Sequence, residues 1–122
     1  MAAKHISFGK RGEDLACAFL VELEVDVLAR NYRWSRAEVD IVAREKSTLH
    51  FVEVKTRTWQ DVDDALSAVS IKQQQRVMNA ASRYMEDAGY NGDFQFDVIV
   101  VLIDAGDNIK ITWVKDAFGF WD

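Results

Sequence analysis

Asp40, Glu53 and Lys55 stand within two runs of the sequence that are typical of buried strands. Side chains two residues apart on a strand share a face, so Glu53 and Lys55 lie on the same side of the sheet. A tight hairpin across residues 46–47 would place Asp40 directly opposite Glu53, and Glu38 opposite Lys55. At a separation of roughly 5 Å the two carboxylates would repel by ~3 kcal/mol at an effective dielectric of about 20, so the pair requires a cation.

The chemistry that this arrangement predicts is metal-dependent hydrolysis of a phosphodiester. Mg²⁺ and Mn²⁺ prefer carboxylate, carbonyl and water oxygens, and Asp40, Glu53 and the carbonyl of Val54 would supply them. The ion would bind a phosphate oxygen and activate a water, while Lys55 would orient that water or stabilise charge on the phosphate. The alternative is a Glu38–Lys55 ion pair beside two acids that face water. The apolar setting, in which an unpaired charge is costly, favours the metal site.

The elements that position these residues follow from the hydrophobic pattern. In chain order they are a helix (7–24), three strands in a meander (25–33, 37–45 and 48–56), a loop (58–64), a second helix, and two strands (94–103 and 108–114). Ser70 and Gln73 form a capping box that predicts the start of the second helix, and Gly89 predicts its end. The order helix, three strands, helix, two strands predicts an α/β fold.

The composition predicts a single domain over residues 1–122 in a reducing, cytoplasmic setting. A chain of this length that is 49% hydrophobic can bury one core. Cys17 has no cysteine partner, which excludes a disulfide framework and a cysteine-based zinc site. No apolar run approaches the ~20 residues of a membrane span, and the first residues lack the apolar core of a signal peptide, so neither a membrane nor export is expected.

The overall charge requires any nucleic-acid binding to be local. Twenty acidic residues against fifteen basic ones give a formal charge of −5, the wrong sign for binding nucleic acid through the overall field. Basic residues do stand in the stretch that carries the acidic motif, and we assign five of them as candidate nucleic-acid contacts: Arg33, Arg36, Arg57, Lys72 and Arg76. The alternative is a dispersed set of solvated cations.

Six short segments carry a family resemblance that runs almost from end to end. They are Gly-Lys-Arg-Gly-Glu at 9–13, Arg-Asn-Tyr-Arg at 30–33, Glu-Val-Asp-Ile-Val at 38–42, Phe-Val-Glu-Val-Lys-Thr-Arg at 51–57, Lys72, and Phe-Asp-Val at 96–98. They resemble the YraN-like bacterial proteins of the PD-(D/E)xK, or restriction-endonuclease-like, nuclease superfamily. The resemblance implies a three-layer core in which helices flank a mixed five-stranded sheet, in the order α-β-β-β-α-β-β.

The same resemblance assigns roles to individual residues. It implies that Asp40 and Glu53 bind the metal, that Lys55 is the catalytic lysine, and that Glu13 is an auxiliary acid, as in the archaeal Holliday-junction resolvases of the superfamily. Glu13 also fits a structural role, because acids in a first helical turn favour the helix dipole. Ala37 departs from the family, where a glycine usually stands. Alanine loses only the positive-φ option, so we expect the site to be intact.

Three further features lie outside the acidic motif. Asp97 stands in a strand where burial demands a partner, and we expect an arginine. His5 and His50 lack metal-ligand spacing, and His50 is expected on the face of its strand opposite Glu53. The aromatic segment 117–121 is expected to pack onto the domain or onto a second copy, so it could build a homodimer or close the core of a monomer.

Three hypotheses for the function follow. The leading one is a Mg²⁺- or Mn²⁺-dependent endonuclease that acts on DNA in preference to RNA. Branched or flapped DNA is the candidate substrate, because nothing in the sequence resembles a base-reading element. The second is a nucleic-acid-binding or scaffolding protein that keeps the nuclease fold without turnover. The third is a plain α/β domain that contacts a protein partner through its aromatic tail.

Overall fold

Eight elements build the structure, a computed structural model that describes residues 7–59 and 61–120. In chain order they are α1 (Phe8–Glu22), β1 (Asp26–Trp34), β2 (Ala37–Glu45), β3 (Thr48–Thr58), α2 (Val62–Ser67), α3 (Ile71–Ala88), β4 (Asp93–Ile103) and β5 (Ile109–Phe118). The strands form one five-stranded sheet in the order β1-β2-β3-β4-β5. The β3–β4 pair is parallel because α2 and α3 provide the crossover between them, and the other pairs are antiparallel.

Helices cover both faces of this sheet and divide its core into two clusters. On one face, α3 packs Val77 and Ala81 against a cluster that includes Phe51 and Val98. On the other face, α1 packs through residues such as Leu20 against side chains that alternate with the first set along the same strands. The mixed five-stranded sheet between helices confirms the predicted three-layer α/β class.

Local sequence signals explain where the elements begin and end. The side chain of Ser70 accepts a hydrogen bond from the Gln73 backbone N–H (3.1 Å), and the Gln73 side-chain oxygen accepts one from the Ser70 backbone N–H (3.1 Å), so the capping box is confirmed. Gly89 ends α3 in the left-handed conformation at φ 62°, as predicted. The β2–β3 hairpin turns through residues 46–47, with Lys46 at φ 57° and Glu45 paired with Thr48. The predicted register of this hairpin is therefore confirmed at its closed end.

The predicted loop at residues 58–64 is wrong at both ends: of its described residues, only Trp59 and Asp61 lie in neither a strand nor a helix. β3 continues to Thr58, and the short helix α2 begins at Val62. Asp61 caps that helix by accepting a hydrogen bond from the Asp63 backbone N–H at 2.8 Å. Ala65 is fully buried beneath α3 and the sheet, so packing stabilises a helix too short to stand alone. α2 adds one element to the predicted order without changing the strands.

The aromatic end of the chain packs onto the domain. β5 extends to Phe118, past the predicted end at residue 114, and Phe118 stacks on Phe96 with ring centroids 5.5 Å apart. Phe120 remains largely exposed beside Phe94 and Phe96. Trp121 and His5 lie outside the described residues. Within residues 7–59 and 61–120, no helix is both long enough and apolar enough to cross a bilayer.

Candidate active site

Asp40 and Glu53 line one small cavity on the α3 face of the sheet. Its volume is about 130 Å³, and it is lined by Glu38, Asp40, Glu53, Gln73, Arg76 and Val77. Both acids reach it because they project from the sheet on the same side as α3. This placement agrees with the prediction that the two carboxylates share one pocket.

The backbone between the two acids differs from the expected direct opposition. The β2–β3 pairing ends at Ile41 and Val52, one residue before Asp40 would meet Glu53. Beyond that point β3 stays paired with β4 alone, through to Thr58. The Val54 backbone N–H then donates to Asp40 Oδ2 at 2.8 Å, so a side chain replaces the β2 backbone as its acceptor. This separation of the strands opens the cavity between them.

Burial gives the acid pair unusual protonation behaviour. Loss of hydration is the main cause that raises the pKa of Asp40 to about 6 and the pKa of Glu53 to about 8. The charge of Asp40 raises the pKa of Glu53 further, and Glu38 adds repulsion to both groups. Without a cation the pair therefore retains a proton near neutral pH. A divalent ion would relieve both the desolvation and the repulsion.

Lys55 is buried, with 7% of its surface exposed, and follows Glu53 on the same face of β3. Burial lowers the pKa of its ammonium, while the charges of Glu53 and Asp40 act in the opposite direction. The alternative Glu38–Lys55 ion pair is wrong. Glu38 is instead paired with Arg33 (3.4 Å) and Arg76 (3.7 Å), because the strands separate before residues 38 and 55 could meet.

Glu13 lies on α1 and acts on Asp40 through its charge. The negative charge of Glu13 contributes to the raised pKa of Asp40, although Glu13 does not line the cavity. Asp14, its neighbour, is bound by Arg30 at 2.7 Å and Lys10 at 3.5 Å. Because α1 begins at Phe8, neither acid lies in its first turn, and the predicted first-turn placement of Glu13 is wrong. The two acids also differ: Asp14 is held by cations, and Glu13 has no ion pair within the described chain.

The donor set of the cavity fits a hard divalent cation. The Val54 N–H points towards Asp40, and a strand residue directs its N–H and C=O to the same neighbour, so the Val54 carbonyl faces the same gap. Asp40, Glu53 and this carbonyl are the oxygen ligands that Mg²⁺ or Mn²⁺ prefers. Among the described residues, no three His, Cys, Asp or Glu side chains converge as a ligand group. Water or phosphate oxygens would therefore complete the coordination.

Comparison with known proteins places the chain in a family. The sequence pattern of the uncharacterised protein family UPF0102 matches residues 12–101. The chain belongs to the UPF0102 family. A UPF0102 protein of Christiangramia forsetii is 35% identical over 119 residues, which cover 98% of this chain and 99% of the relative. UPF0102 proteins of Rhodococcus jostii and Shewanella amazonensis are 36% and 38% identical, covering 95% and 90% of this chain and 99% and 97% of their own lengths.

Membership in UPF0102 confirms the resemblance to the YraN-like proteins and to restriction-endonuclease-like nucleases. The matched region contains all four residues to which that resemblance assigns catalytic roles: Glu13, Asp40, Glu53 and Lys55. Ala37, the departure from the family pattern, begins β2 without a positive φ. The left-handed residue of this turn is Ser35, at φ 60°, so a glycine at position 37 is not required.

The five basic residues predicted to contact nucleic acid fall into two groups. Arg33, Arg36 and Arg76 line cavities that adjoin the acid pair. Lys72 is exposed on the first turn of α3 and lines none of these cavities. Arg57 donates to the Thr56 carbonyl at 2.9 Å and is half-buried. The fold thus groups three of the five around the acid pair.

Asp97 lies on the opposite face of the sheet, and its predicted arginine partner is wrong. It accepts hydrogen bonds from four donors: His50 Nδ1 (2.6 Å), Trp113 Nε1 (2.8 Å), Gln95 Nε2 (2.9 Å) and the Asp116 backbone N–H (2.8 Å). Burial would raise the pKa of Asp97, but these bonds together hold it below its usual value. His50 lies on the face opposite Glu53, as predicted.

Two polar residues of the cavity, Gln73 and Glu38, are not among the site residues that the sequence predicts. Gln73 was assigned only as a helix cap, and Glu38 only as a possible partner of Lys55. Both line the cavity because α3 begins directly above the open end of β2. The available signal was positional: Glu38 precedes Asp40 by two residues on one strand, so the two share a face.

Proposed function

We propose that this UPF0102 protein is a metal-dependent endonuclease that hydrolyses phosphodiester bonds in DNA. The observation that carries the proposal is the pairing of Asp40 and Glu53 in one open cavity, where burial raises both pKa values and the charge of Asp40 raises that of Glu53 further. Structural carboxylates are ordinarily compensated by arginine, lysine or several hydrogen bonds. A strongly perturbed acid pair in a cleft beside a buried lysine is typical of a catalytic site.

Asp40, Glu53 and the Val54 carbonyl would hold one Mg²⁺ or Mn²⁺. When bound, that ion supplies neutralisation of phosphate charge and a water of lowered pKa. In the hydrolysis, a water oxygen forms a new bond to phosphorus, one sugar–phosphate P–O bond breaks, and the leaving oxygen gains a proton. The Lys55 ammonium, close to both acids, would stabilise the negative charge that builds on the phosphate oxygens.

Arginines next to the acids would hold the substrate. Arg76 lines the acid cavity from α3, and Arg36 lies in the adjoining cavity on the β1–β2 turn. Guanidinium groups bind phosphate oxygens with two parallel hydrogen bonds, which fixes the backbone without reading its sequence. Because the whole chain carries a formal charge of −5, binding would depend on these local contacts and weaken steeply with salt.

Glu13 would support the site from α1 in this proposal. Its charge already acts on Asp40, so it would also act on a cation held by Asp40. Replacing Glu13 by glutamine should therefore weaken metal affinity less than replacing Asp40 or Glu53.

Cleavage assays test the proposal directly. Purified protein is incubated with labelled duplex, 5′-flap and four-way-junction DNA in Mg²⁺ or Mn²⁺, beside the variants Asp40→Asn, Glu53→Gln and Lys55→Met. We expect cleavage by the wild type and a loss of about 100-fold or more in each variant, the usual effect of removing a group that acts in the transition state. Glu45→Gln is the matched control, since Glu45 lies on the opposite face of the same strands and should leave cleavage unchanged.

One observation favours a second candidate, a nucleic-acid-binding protein without turnover. Glu38 also lines the cavity, but it is paired with Arg33 and Arg76, and among the described residues no three acids converge as a ligand group. The same assays separate the two functions. If the protein binds DNA but cleaves none of the three substrates in either metal, the binding function is established and the endonuclease proposal is contradicted.

A further inference from the structure

A shallow groove continues from the acid cavity across the β1–β2 turn and along α3. We call it the Trp34 groove and define it by six lining residues: Trp34, Arg36, Arg76, Asn79, Ser82 and Arg83. Arg76 lines both the acid cavity and the start of this groove, and Trp34 lines its two further cavities. The groove and the acid pair are therefore one continuous surface.

The groove is positive although the protein is acidic. Four arginines line it or its edge, Arg33, Arg36, Arg76 and Arg83, against the three acids Glu38, Glu86 and Asp87, the last of which binds Arg83 at 3.1 Å. The formal charge of this surface is therefore positive within a chain whose formal charge is −5. Within the described residues Arg36 has no ion-pair partner, while its carbonyl accepts a hydrogen bond from Arg76 Nε at 3.0 Å. Its guanidinium is thus available to an anion.

Trp34 gives the groove an aromatic surface in a fixed position. It is the last residue of β1, it pairs with Ala37 across the turn, and 47% of its surface is exposed. The Arg83 guanidinium lies 5.1 Å from the centre of its ring. A large aromatic side chain that is half exposed, held by a cation and bordered by arginines, matches the surfaces that stack nucleic-acid bases.

We propose that the Trp34 groove binds an unpaired nucleic-acid strand that leads to Asp40 and Glu53. One base stacks on Trp34, and the phosphates beside it contact Arg36 and Arg76. The strand must be unpaired, because the faces of bases inside a duplex are covered by their neighbours and only a single-stranded base can stack on a side chain. This inference rests on the proposed function, and it narrows the substrate to single-stranded or flapped nucleic acid.

Binding without metal tests the groove independently of cleavage. Fluorescence anisotropy is measured in EDTA with a labelled deoxyoligonucleotide of about 12 residues, within the usual site size, and with a blunt duplex of the same length. We expect Trp34→Ala to bind the single strand about tenfold more weakly, and the duplex within about twofold of wild type. Trp34→Phe keeps a stacking face and should retain most of the affinity.

Phe120→Ala is the matched control, because Phe120 is another exposed aromatic residue and lines a separate cavity. It should bind both probes as the wild type does. Circular dichroism and urea unfolding confirm that each variant is folded. The proposal is overturned if Trp34→Ala binds the single strand within twofold of wild type, if it weakens both probes equally, or if the wild type binds no single strand. An oligoribonucleotide of the same length then shows whether the groove accepts RNA as well as DNA.

Cleavage of a flap substrate separates failure of the groove from failure of the proposed function. If Trp34-dependent binding holds and the wild type cuts nothing, the groove stands and the endonuclease does not. If the wild type cuts the flap and Trp34→Ala cuts it equally fast, the endonuclease stands and the groove does not. Asp40→Asn should cut no flap.

Discussion

Replacing Glu53 by glutamine should stabilise the metal-free protein, and only at high pH. Burial and the charge of Asp40 raise the pKa of Glu53 from its usual value of 4.5 to about 8. Each unit of pKa corresponds to ~1.4 kcal/mol, so ionising Glu53 costs the fold about 5 kcal/mol if the group is fully shielded from water. Because Glu53 is partly exposed, water reduces this penalty, and we expect about 2 kcal/mol.

The sign follows from proton linkage. Between pH 4.5 and about 8 the unfolded chain releases the Glu53 proton while the folded chain keeps it, so wild-type stability falls as pH rises through this window. Glutamine removes the titration. The free energy of unfolding of Glu53→Gln should therefore nearly equal that of the wild type near pH 4 and exceed it by about 2 kcal/mol near pH 9.

Urea unfolding in EDTA at these two pH values measures the difference. Glu45→Gln serves as the control, because the pKa of Glu45 is lowered by its hydrogen bond to Lys115 and its loss should be slightly destabilising. The claim that Glu53 is an uncompensated acid would be refuted if Glu53→Gln and wild type were equally stable at both pH values. It would also be refuted if Glu53→Gln were less stable than wild type at pH 9.

Two further predictions concern stability away from the acid pair. Asp97→Asn should lower the free energy of unfolding by about 3 kcal/mol at pH 7, since it removes a buried charge from His50 and three other donors. Urea unfolding should show that this loss shrinks below pH 4, because Asp97, whose pKa is lowered, stabilises the fold only while its carboxylate is ionised. A loss independent of pH would contradict this. Gly12→Ala should cost more than about 2 kcal/mol in thermal unfolding, because its Cβ would lie 1.7 Å from Thr56 Oγ1. Gly9→Ala, with open space, should instead stabilise α1 by up to about 1 kcal/mol, and similar effects at the two glycines would contradict the packing of α1 on β3.

The sequence was informative wherever one local signal determined the backbone. The Ser70–Gln73 box and Gly89 bounded α3 because caps act within a few residues. The two-residue turn at 46–47 determined the register of β2 and β3, and that register determined the shared face of Asp40 and Glu53. Side-chain alternation then placed His50 on the other face.

Features that depend on distant parts of the chain could not be read in this way. The end of the β2–β3 pairing depends on β3 continuing beside β4, and β4 begins only at Asp93, after both α2 and α3. The partners of Asp97 come from three strands, so no local pattern identifies them. The short helix α2, which Asp61 caps, is stable only because α3 and the sheet cover its buried residue Ala65.

The central claim is that Asp40 and Glu53 together hold one divalent cation. Anomalous diffraction from crystals grown near neutral pH in millimolar Mn²⁺ measures this directly. We predict a single strong peak within about 2.0–2.3 Å of a carboxylate oxygen from each of the two residues. Absence of a peak between them, or a peak bound by Glu38 alone, would contradict the claim.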